Sequence, residues 1–489
     1  MRQKKSLLFL LIFSLFFCFS MVSHGWQGRM AGMEDSYGLV ADESDYLIHV
    51  AKIAEGKGLN FYGGYRFTYT KVKTWETEFD GDMLDFPGKE LKHEALLGSS
   101  FVLGPGRMGV FFAYDGKRGD FDTGLIPDEG LKNKDEVDNF ALRLMYGIPV
   151  GSFNFGAEAG IAYRKEKSDL LFYSTSGGAY NFHVIDGFSA NFFIPPFMPY
   201  DSAYWEVPLK AGFSGKMGPV DTQFTLRGGI IVAGDNKLRL GLDDAYDDLD
   251  GDTKGWSIGA DFWLRYHLGN GLSLPFMVRA DYQKKTRDGR GLLVNLNPDA
   301  FLDYENEETA LNLTLGGGVD KAFGQNTRLA TGIYYSYISN NKDISTKVFD
   351  LGVYEAEIFF DDFPSTTEHR ATLRLAGEHA LSPVVALRAG MGFFYGFVTQ
   401  DLVLGIISPG DSDEFKFASN GNRWGAGASF GASIKLKPVT LEPFLNAGYQ
   451  HLKLSDDTYL NGVLDPDVSR NDKREQWYVG GGLAVKFGQ

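Results

Sequence analysis

Cysteine is almost missing from this 489-residue chain: Cys18 is the only one. That excludes a disulfide framework and any cysteine-based metal site. Net positive charge is missing too. The formal charge is −15, from 48 Lys and Arg against 63 Asp and Glu, which argues against nucleic acid as a partner. Beyond the N-terminus, no apolar run approaches the roughly 18–20 residues that a membrane-spanning helix needs. Catalytic signatures are absent as well. There is no G-x-S-x-G, no H-E-x-x-H and no phosphate-binding glycine-lysine loop. His93-Glu94 begins like a zinc motif, but Leu97 stands where the second histidine belongs. The pattern therefore predicts no enzyme, no cofactor and no metal site. Linkers are also absent, so the several domains that the length alone would suggest are not expected.

What the chain has is glycine (61 residues), aromatics (15%) and alternation. Glycine disfavours helix interiors and aromatics favour strands. Residues 1–25 read as a signal peptide. Arg2, Lys4 and Lys5 precede an apolar core from Leu7 to Phe19, and Ser23 and Gly25 are small enough for a cleavage site. Its removal takes Cys18 away and lowers the formal charge from −15 to −18.

From Leu59 onward the chain reads as paired strands of about ten residues. The short turns fall at Gly104-Pro-Gly106, Pro149-Val-Gly151, Gly215-Lys-Met-Gly218, Gly269-Asn-Gly271, Phe323-Gly-Gln-Asn326, Leu381-Ser-Pro383 and Leu436-Lys-Pro438. Gly, Pro and Asn supply the turn chemistry. Seven hairpins plus a first and a last strand make about sixteen, an even number. Within each strand one face is apolar and the other polar. Leu373 and Leu375 oppose Arg370, Thr372 and Arg374, and Trp256, Ile258 and Phe262 oppose Ser257 and Asp261. Side chains of a strand point alternately to its two faces. Sixteen such strands behind a signal peptide predict a transmembrane, antiparallel outer-membrane β-barrel over residues 58–489, in a Gram-negative bacterium. Lipid must then touch one face, because only a closed sheet satisfies its backbone in a bilayer.

The face opposite the lipid carries charge. Alternation places Arg143, Arg227, Arg265, Arg279 and Arg328 inward, with Arg370, Arg374 and Arg388, and with Asp261 and Asp281 among them. Two readings stay open: a lattice of ion pairs bracing the wall, or a cation-lined pore favouring anions. The longer connections are acidic, as at Glu76–Glu90, Asp243–Asp252 and Asp411–Glu414. They read as solvated loops, with calcium binding the sharper alternative. The connection over 166–202 differs. Phe188, Phe192, Phe193 and Phe197 give it more apolar surface than water tolerates. It is expected to fold into the barrel mouth, to pack on other loops or to collect an apolar ligand.

Residues 26–57 do not alternate. They carry Glu34, Asp35, Asp42, Glu43 and Asp45 beside an arginine-lined lumen, and Tyr37, Leu39, Val40, Tyr46 and Ile48 make them apolar for a free tail. A plug inside the barrel is expected. The run from Gly28-Arg-Met-Ala-Gly32 through Asp42-Glu43 to His49-Val-Ala-Lys-Ile53 resembles the mature N-terminus of the fatty-acid-transporter-like outer-membrane proteins. His49–Ile53 stands where that family has an Asn-Pro-Ala-Gly-Leu-type end, and Glu34 stands in place of a glycine. The resemblance implies a hatch inside a barrel that passes hydrophobic molecules.

Three functions follow. The first is a porin-like channel for passive passage of small molecules, narrowed by the plug and the 166–202 loop. The second is uptake of hydrophobic compounds, as the resemblance implies. The third is a structural or docking barrel for a partner protein. The expected partners are outer-membrane lipid, lipopolysaccharide and a small-molecule solute; an oligomer or a periplasmic partner stays open. If residues 26–57 plug the lumen, deleting 27–55 raises single-channel conductance in planar bilayers. Unchanged conductance removes the plug.

Overall fold

The computed structural model describes Met33, residues 39–40 and residues 43–488, apart from 80–81, 86–87, 123–131, 169–199, 243–244, 293–299, 351–352, 409–410, 461–462 and 466–469. The signal peptide, Glu34, Asp35, Asp42 and the phenylalanines of the 166–202 connection lie outside the described residues.

Sixteen long strands form the wall. They are β1 (Asn60–Phe79), β2 (Gly88–Leu103), β3 (Gly106–Asp122), β4 (Lys132–Val150), β5 (Phe153–Ser168), β6 (Tyr200–Met217), β7 (Val220–Leu242) and β8 (Ala245–Gly269), then β9 (Leu272–Leu292), β10 (Ala300–Phe323), β11 (Thr327–Asp350), β12 (Val353–Ala380), β13 (Val385–Ser408), β14 (Asp411–Leu436), β15 (Val439–Leu460) and β16 (Arg470–Gly488). Each pairs antiparallel with its sequence neighbours, and β1 pairs with both β2 and β16, which closes the sheet into a barrel. Asn60 faces Ser100 on one side and Gly488 on the other. Two short strands, Asp82–Asp85 and Val463–Asp465, pair with β1 and β15.

The seven short turns fall where the Gly, Pro and Asn clusters are. Gly104 and Gly151 hold φ of 59° and 62°, a left-handed backbone that a side chain disfavours. The strands are longer than expected, from 16 residues in β2 to 28 in β12. The acidic stretches read as loops are largely strand. Glu76 and Glu78 lie in β1, Asp247–Asp252 in β8, Asp361 and Asp362 in β12, Asp411–Glu414 in β14, and Asp456 and Asp457 in β15. Past the lipid both faces meet water, so apolar alternation stops while the backbone ladder continues.

The outer face is apolar. Leu142, Leu144, Ile258, Leu315, Leu375 and Met391 point outward and are exposed, and Ile333 is 66% exposed. Outward rings meet across strands at Tyr114–Phe140, Tyr163–Trp205, Trp256–Tyr282 and Trp424–Tyr449, with centroids 4.9–5.2 Å apart. Each lies about ten residues from the short-turn end of its strand, the length that crosses the hydrocarbon at barrel tilt. These rings are the interfacial girdle on the side away from the termini. A closed, even-stranded antiparallel barrel with an apolar belt and a polar interior is an outer-membrane protein. Ile333→Arg, on the lipid face, is expected to lower barrel stability by about 2–4 kcal/mol at midplane depth; urea titration of the refolding equilibrium in lipid vesicles measures it.

Candidate functional site

The lumen is where the chain can act, and its wall is charged by design of alternation: every second side chain of a strand must enter it. The ten wall residues picked out by alternation are all on the inner face, and nine of them meet in ion pairs described below. Arg143 lies 3.8 Å from Glu158, which also takes Lys210 at 3.1 Å. Arg227 bridges Asp261 and Asp281, and Arg279 Nε donates to Asp261 at 2.5 Å. Arg265 and Arg328 share Asp320, Arg328 Nε donating at 2.7 Å. Arg370 Nε donates to Glu368 at 2.6 Å. Arg388 spans Glu378 and Glu442 at 2.7 and 2.8 Å. Arg374 sits over the Tyr334 ring, 5.4 Å from its centroid, where the ring quadrupole attracts the cation. Several partners are far apart in sequence, and Lys210, which alternation had not singled out, is among the closest to the docked segment. Among the described residues no three His, Asp or Glu side chains converge as metal ligands.

The segment before β1 lies inside this wall. Two short 3-10 helices, Glu43–Leu47 and Val50–Glu55, run toward Asn60 at the short-turn end of β1. Arg107 anchors this approach, donating through Nη1 to the Gly58 carbonyl at 2.7 Å and through Nη2 to the Ser100 carbonyl at 3.0 Å. Tyr46, Leu47, Val50 and Ile53 pack against Tyr62, Leu96, Phe111 and Met145 of the wall. Met33, Leu39 and Val40 pack against Trp263, Met277 and Tyr334. Leu39, Val50 and Ile53 are buried to 1% exposure or less, each worth roughly 1.5–3 kcal/mol before the cost of ordering the segment. The wall leaves room by omitting side chains. A Cβ at Gly156 would lie 2.6 Å from the Ala51 backbone, and one at Gly147 would lie 2.7 Å from Ile53.

Polar contacts fix the register of this docking. Lys210 Nζ donates to the Leu47 carbonyl at 2.8 Å, and Arg265 Nη2 donates to the Leu39 carbonyl at 3.0 Å. Asp45, fully buried, accepts from Lys52 of its own segment at 3.2 Å. The wall cations thus reach backbone carbonyls of the segment, while apolar packing supplies most of the contact. His49 is fully buried, with Nδ1 3.2 Å from Thr225 Oγ1 and its ring edge-on to Trp263 at 4.3 Å. The resemblance had marked His49 only as a departure from its pattern; no sequence signal pointed to its contact with Trp263, which joins residues more than two hundred positions apart.

The wall ladder lapses opposite three prolines, Pro208, Pro275 and Pro443, and one of these lapses borders two open spaces. Between β5 and β6 the ladder pairs Ala159 with Leu209 and next Ala162 with Glu206, lapsing opposite Pro208. Proline has no N–H to donate. The β6–β7 register shifts between Trp205 and Glu206, and the β7–β8 register shifts between Ile230 and Asp235. On the lumen side lies a cavity of about 460 Å³ whose lining includes Glu206, Pro208, Lys210, Arg227, Asp281 and Asn312. On the outer face of the neighbouring strands lies a hollow of about 600 Å³ whose apolar lining includes Leu144, Ala159, Leu209 and Leu226. Leu209, Lys210, Arg227 and Gly228 border both. One thickness of wall, thin in backbone hydrogen bonds, separates them.

Burial pushes the pKa of His49 down to about 2, with Lys52, Arg279, Arg227 and Lys210 adding to the fall. His49 belongs to the docked segment, not to a wall strand. Once undocked it returns to an ordinary value near 6.5, so the undocked state binds the proton more tightly. Acid therefore favours release. Docking loses about 1.4 kcal/mol for each pH unit below about 6.5, until the docked pKa is reached. Channel openings are expected to become more frequent as pH falls from 7 to 5, and His49→Phe should flatten that dependence. Single-channel recording across this pH range checks both.

No protein-family model matches the chain, and no curated protein matches it in sequence. Solved structures resemble it over nearly its whole length. A monoaromatic hydrocarbon channel, the TodX deltaS2S3 mutant, is 11% identical, covering 96% of this chain and 100% of its own, with a TM-score of 0.47. The toluene transporter TodX of P. putida is 11% identical, with coverages of 96% and 99% and a TM-score of 0.44. A FadL homologue of Pseudomonas aeruginosa is likewise 11% identical, with coverages of 96% and 98% and a TM-score of 0.37.

Proposed function

We propose that this outer-membrane barrel takes up small hydrophobic or amphipathic compounds, which enter from outside, pause in the lumen cavity and leave sideways through the wall. The observation that carries this reading is the pair of spaces on the two faces of β6 and β7. They share Leu209, Lys210, Arg227 and Gly228, and the ladder lapses beside them at Pro208. An ion cannot use such an exit, because the outer hollow opens on hydrocarbon. An apolar solute gains by it.

The docked N-terminal segment supports the same reading over a general porin. It occupies the lumen with Tyr46, Val50 and Ile53 packed on apolar wall residues, which obstructs a straight aqueous path. The inward arginines support it too. They engage carboxylates or, at Arg374, a tyrosine ring, so they brace the wall instead of lining a free cationic path. The sideways exit needs no movement of the segment through the barrel. It needs only that the wall part where few hydrogen bonds hold it.

The test uses the absence of cysteine from the mature chain. Ile161→Cys and Val207→Cys place thiols on the two strands across the lapse. Oxidised, the pair seals the wall; reduced, it does not. Uptake of a radiolabelled monoaromatic compound into cells carrying the oxidised variant is expected to drop severalfold and to return on adding reductant, with ion conductance unaltered. Uptake that ignores the redox state overturns the lateral route. Loss of conductance instead of uptake restores the porin-like reading.

A further inference from the structure

The lumen cavity beside the Pro208 lapse has an uncharged row across its floor. Register sets Pro208, Gly229, Ser257, Gln283, Ala310 and Asn340 opposite one another, one from each of β6 to β11. All but Gly229 line the cavity. The cations of the rows on either side are already engaged. Toward the short turns, Lys210 is taken by Glu158 and the Leu47 carbonyl, and Arg227 by Asp261 and Asp281. Away from the short turns, Lys285 is held by Glu166 at 3.2 Å and by Glu308 at 3.3 Å.

One carboxylate at this cavity differs from its fellows on the wall. Glu158, Asp261, Asp320 and Glu368 each hold two cations. Glu206, half-buried and part of the cavity lining, makes no ion pair and no side-chain hydrogen bond among the described residues. The same holds for the side chains of Ser257, Gln283 and Asn340. Glu206 leans over Gly229. A Cβ at Gly229 would collide with Glu206 Oε1 and lie 2.9 Å from Ser257 Oγ. The carboxylate and the hydroxyl therefore converge on one point above a bare stretch of backbone, without bonding each other.

We propose that the solute that pauses here carries one hydroxyl on an apolar body, as a phenol or a simple alcohol does, and that Glu206 and Ser257 select it. The inference rests on the uptake reading above and names its solute class. A hydroxyl both donates and accepts. Here it donates to the Glu206 carboxylate and accepts from the Ser257 hydroxyl, while its apolar body lies over Gly229 and against Pro208. A bare hydrocarbon in the same place would strip water from both oxygens and return no hydrogen bond. A solute with a carboxylate would set a second negative charge against Glu206. A hydroxylated solute stays neutral, so it can still pass Leu209, which borders the outer hollow, and enter the hydrocarbon.

The test measures binding of radiolabelled phenylpropanol to the purified full-length mature protein in detergent micelles. Equilibrium dialysis reads it, after subtraction of uptake by protein-free micelles. Propylbenzene and phenylpropanoate, which share the body and differ in the head, compete at matched free aqueous concentrations. Both are expected to compete at least about tenfold more weakly than unlabelled phenylpropanol, because a site with unpaired polar groups rejects the analogue that lacks the hydroxyl. Glu206→Leu should erase the preference over propylbenzene. Glu206→Gln, which keeps an acceptor without the charge, should retain that preference and admit phenylpropanoate. Equal competition by propylbenzene in the unmodified protein overturns the proposal without reference to any variant. So does stronger competition by phenylpropanoate, which would make the wall cations the selecting groups. An undiminished preference in Glu206→Leu overturns the role of Glu206, and no saturable binding of phenylpropanol overturns the site. Binding is read without transport, so it survives a failure of the lateral route; a failure of the hydroxyl preference in turn leaves the redox-controlled uptake result standing.

Discussion

A sheet in lipid cannot leave an edge. Each unpaired backbone N–H or C=O in hydrocarbon costs several kcal/mol, so β1 must find β16, and the pairing runs from Asn60–Gly488 to Phe79–Arg470. Closure then creates an interior whether or not the chain has a use for it. Alternation fills that interior with the polar half of every strand. Charges brought there lose much of their water and must find partners. The answer recurs around the wall: one carboxylate holds two cations, at Glu158, Asp320 and Glu368. These groups tie neighbouring strands together side chain to side chain, in addition to the backbone ladder.

The same closure explains why the N-terminal segment lies where it does. The chain before β1 enters the lumen at the short-turn end with Leu39, Val50 and Ile53 as packing surface. Glycines on the wall accept it at close range, Gly156 against Ala51. The lapse at Pro208, like those at Pro275 and Pro443, costs backbone hydrogen bonds. The one at Pro208 lies between a lumen cavity and an apolar hollow, the exit that the proposed uptake route requires.

Much of this was legible from residues alone. The seven turn clusters marked the hairpins, the count of strands came out at sixteen, and Arg227, Asp261 and Asp281 fell on the inner face because period-two alternation admits no other choice. Strand length was less legible. Beyond the girdle both faces meet water, so Asp247–Asp252 carries no alternation to read although it stays in the ladder. The ion partners were illegible. Glu166 meets Arg287 across 121 positions, and Arg265 meets Asp320 across 55, distances at which local pattern carries no information. Lys210 and the contacts of His49 were missed for the same reason: they exist only where separate strands and the docked segment converge.

Local chemistry therefore determined the class of the molecule. A signal-like leader, turn residues at hairpin spacing and alternation of greasy and charged side chains suffice to specify a lipid-embedded closed sheet and to say which side chains face in. Only the folded arrangement decided which charges neutralise each other, that carbonyls at Leu39 and Leu47 receive wall cations, and that the ladder lapses between two spaces. Those facts depend on register between strands distant in sequence, and register is a property of the assembled wall.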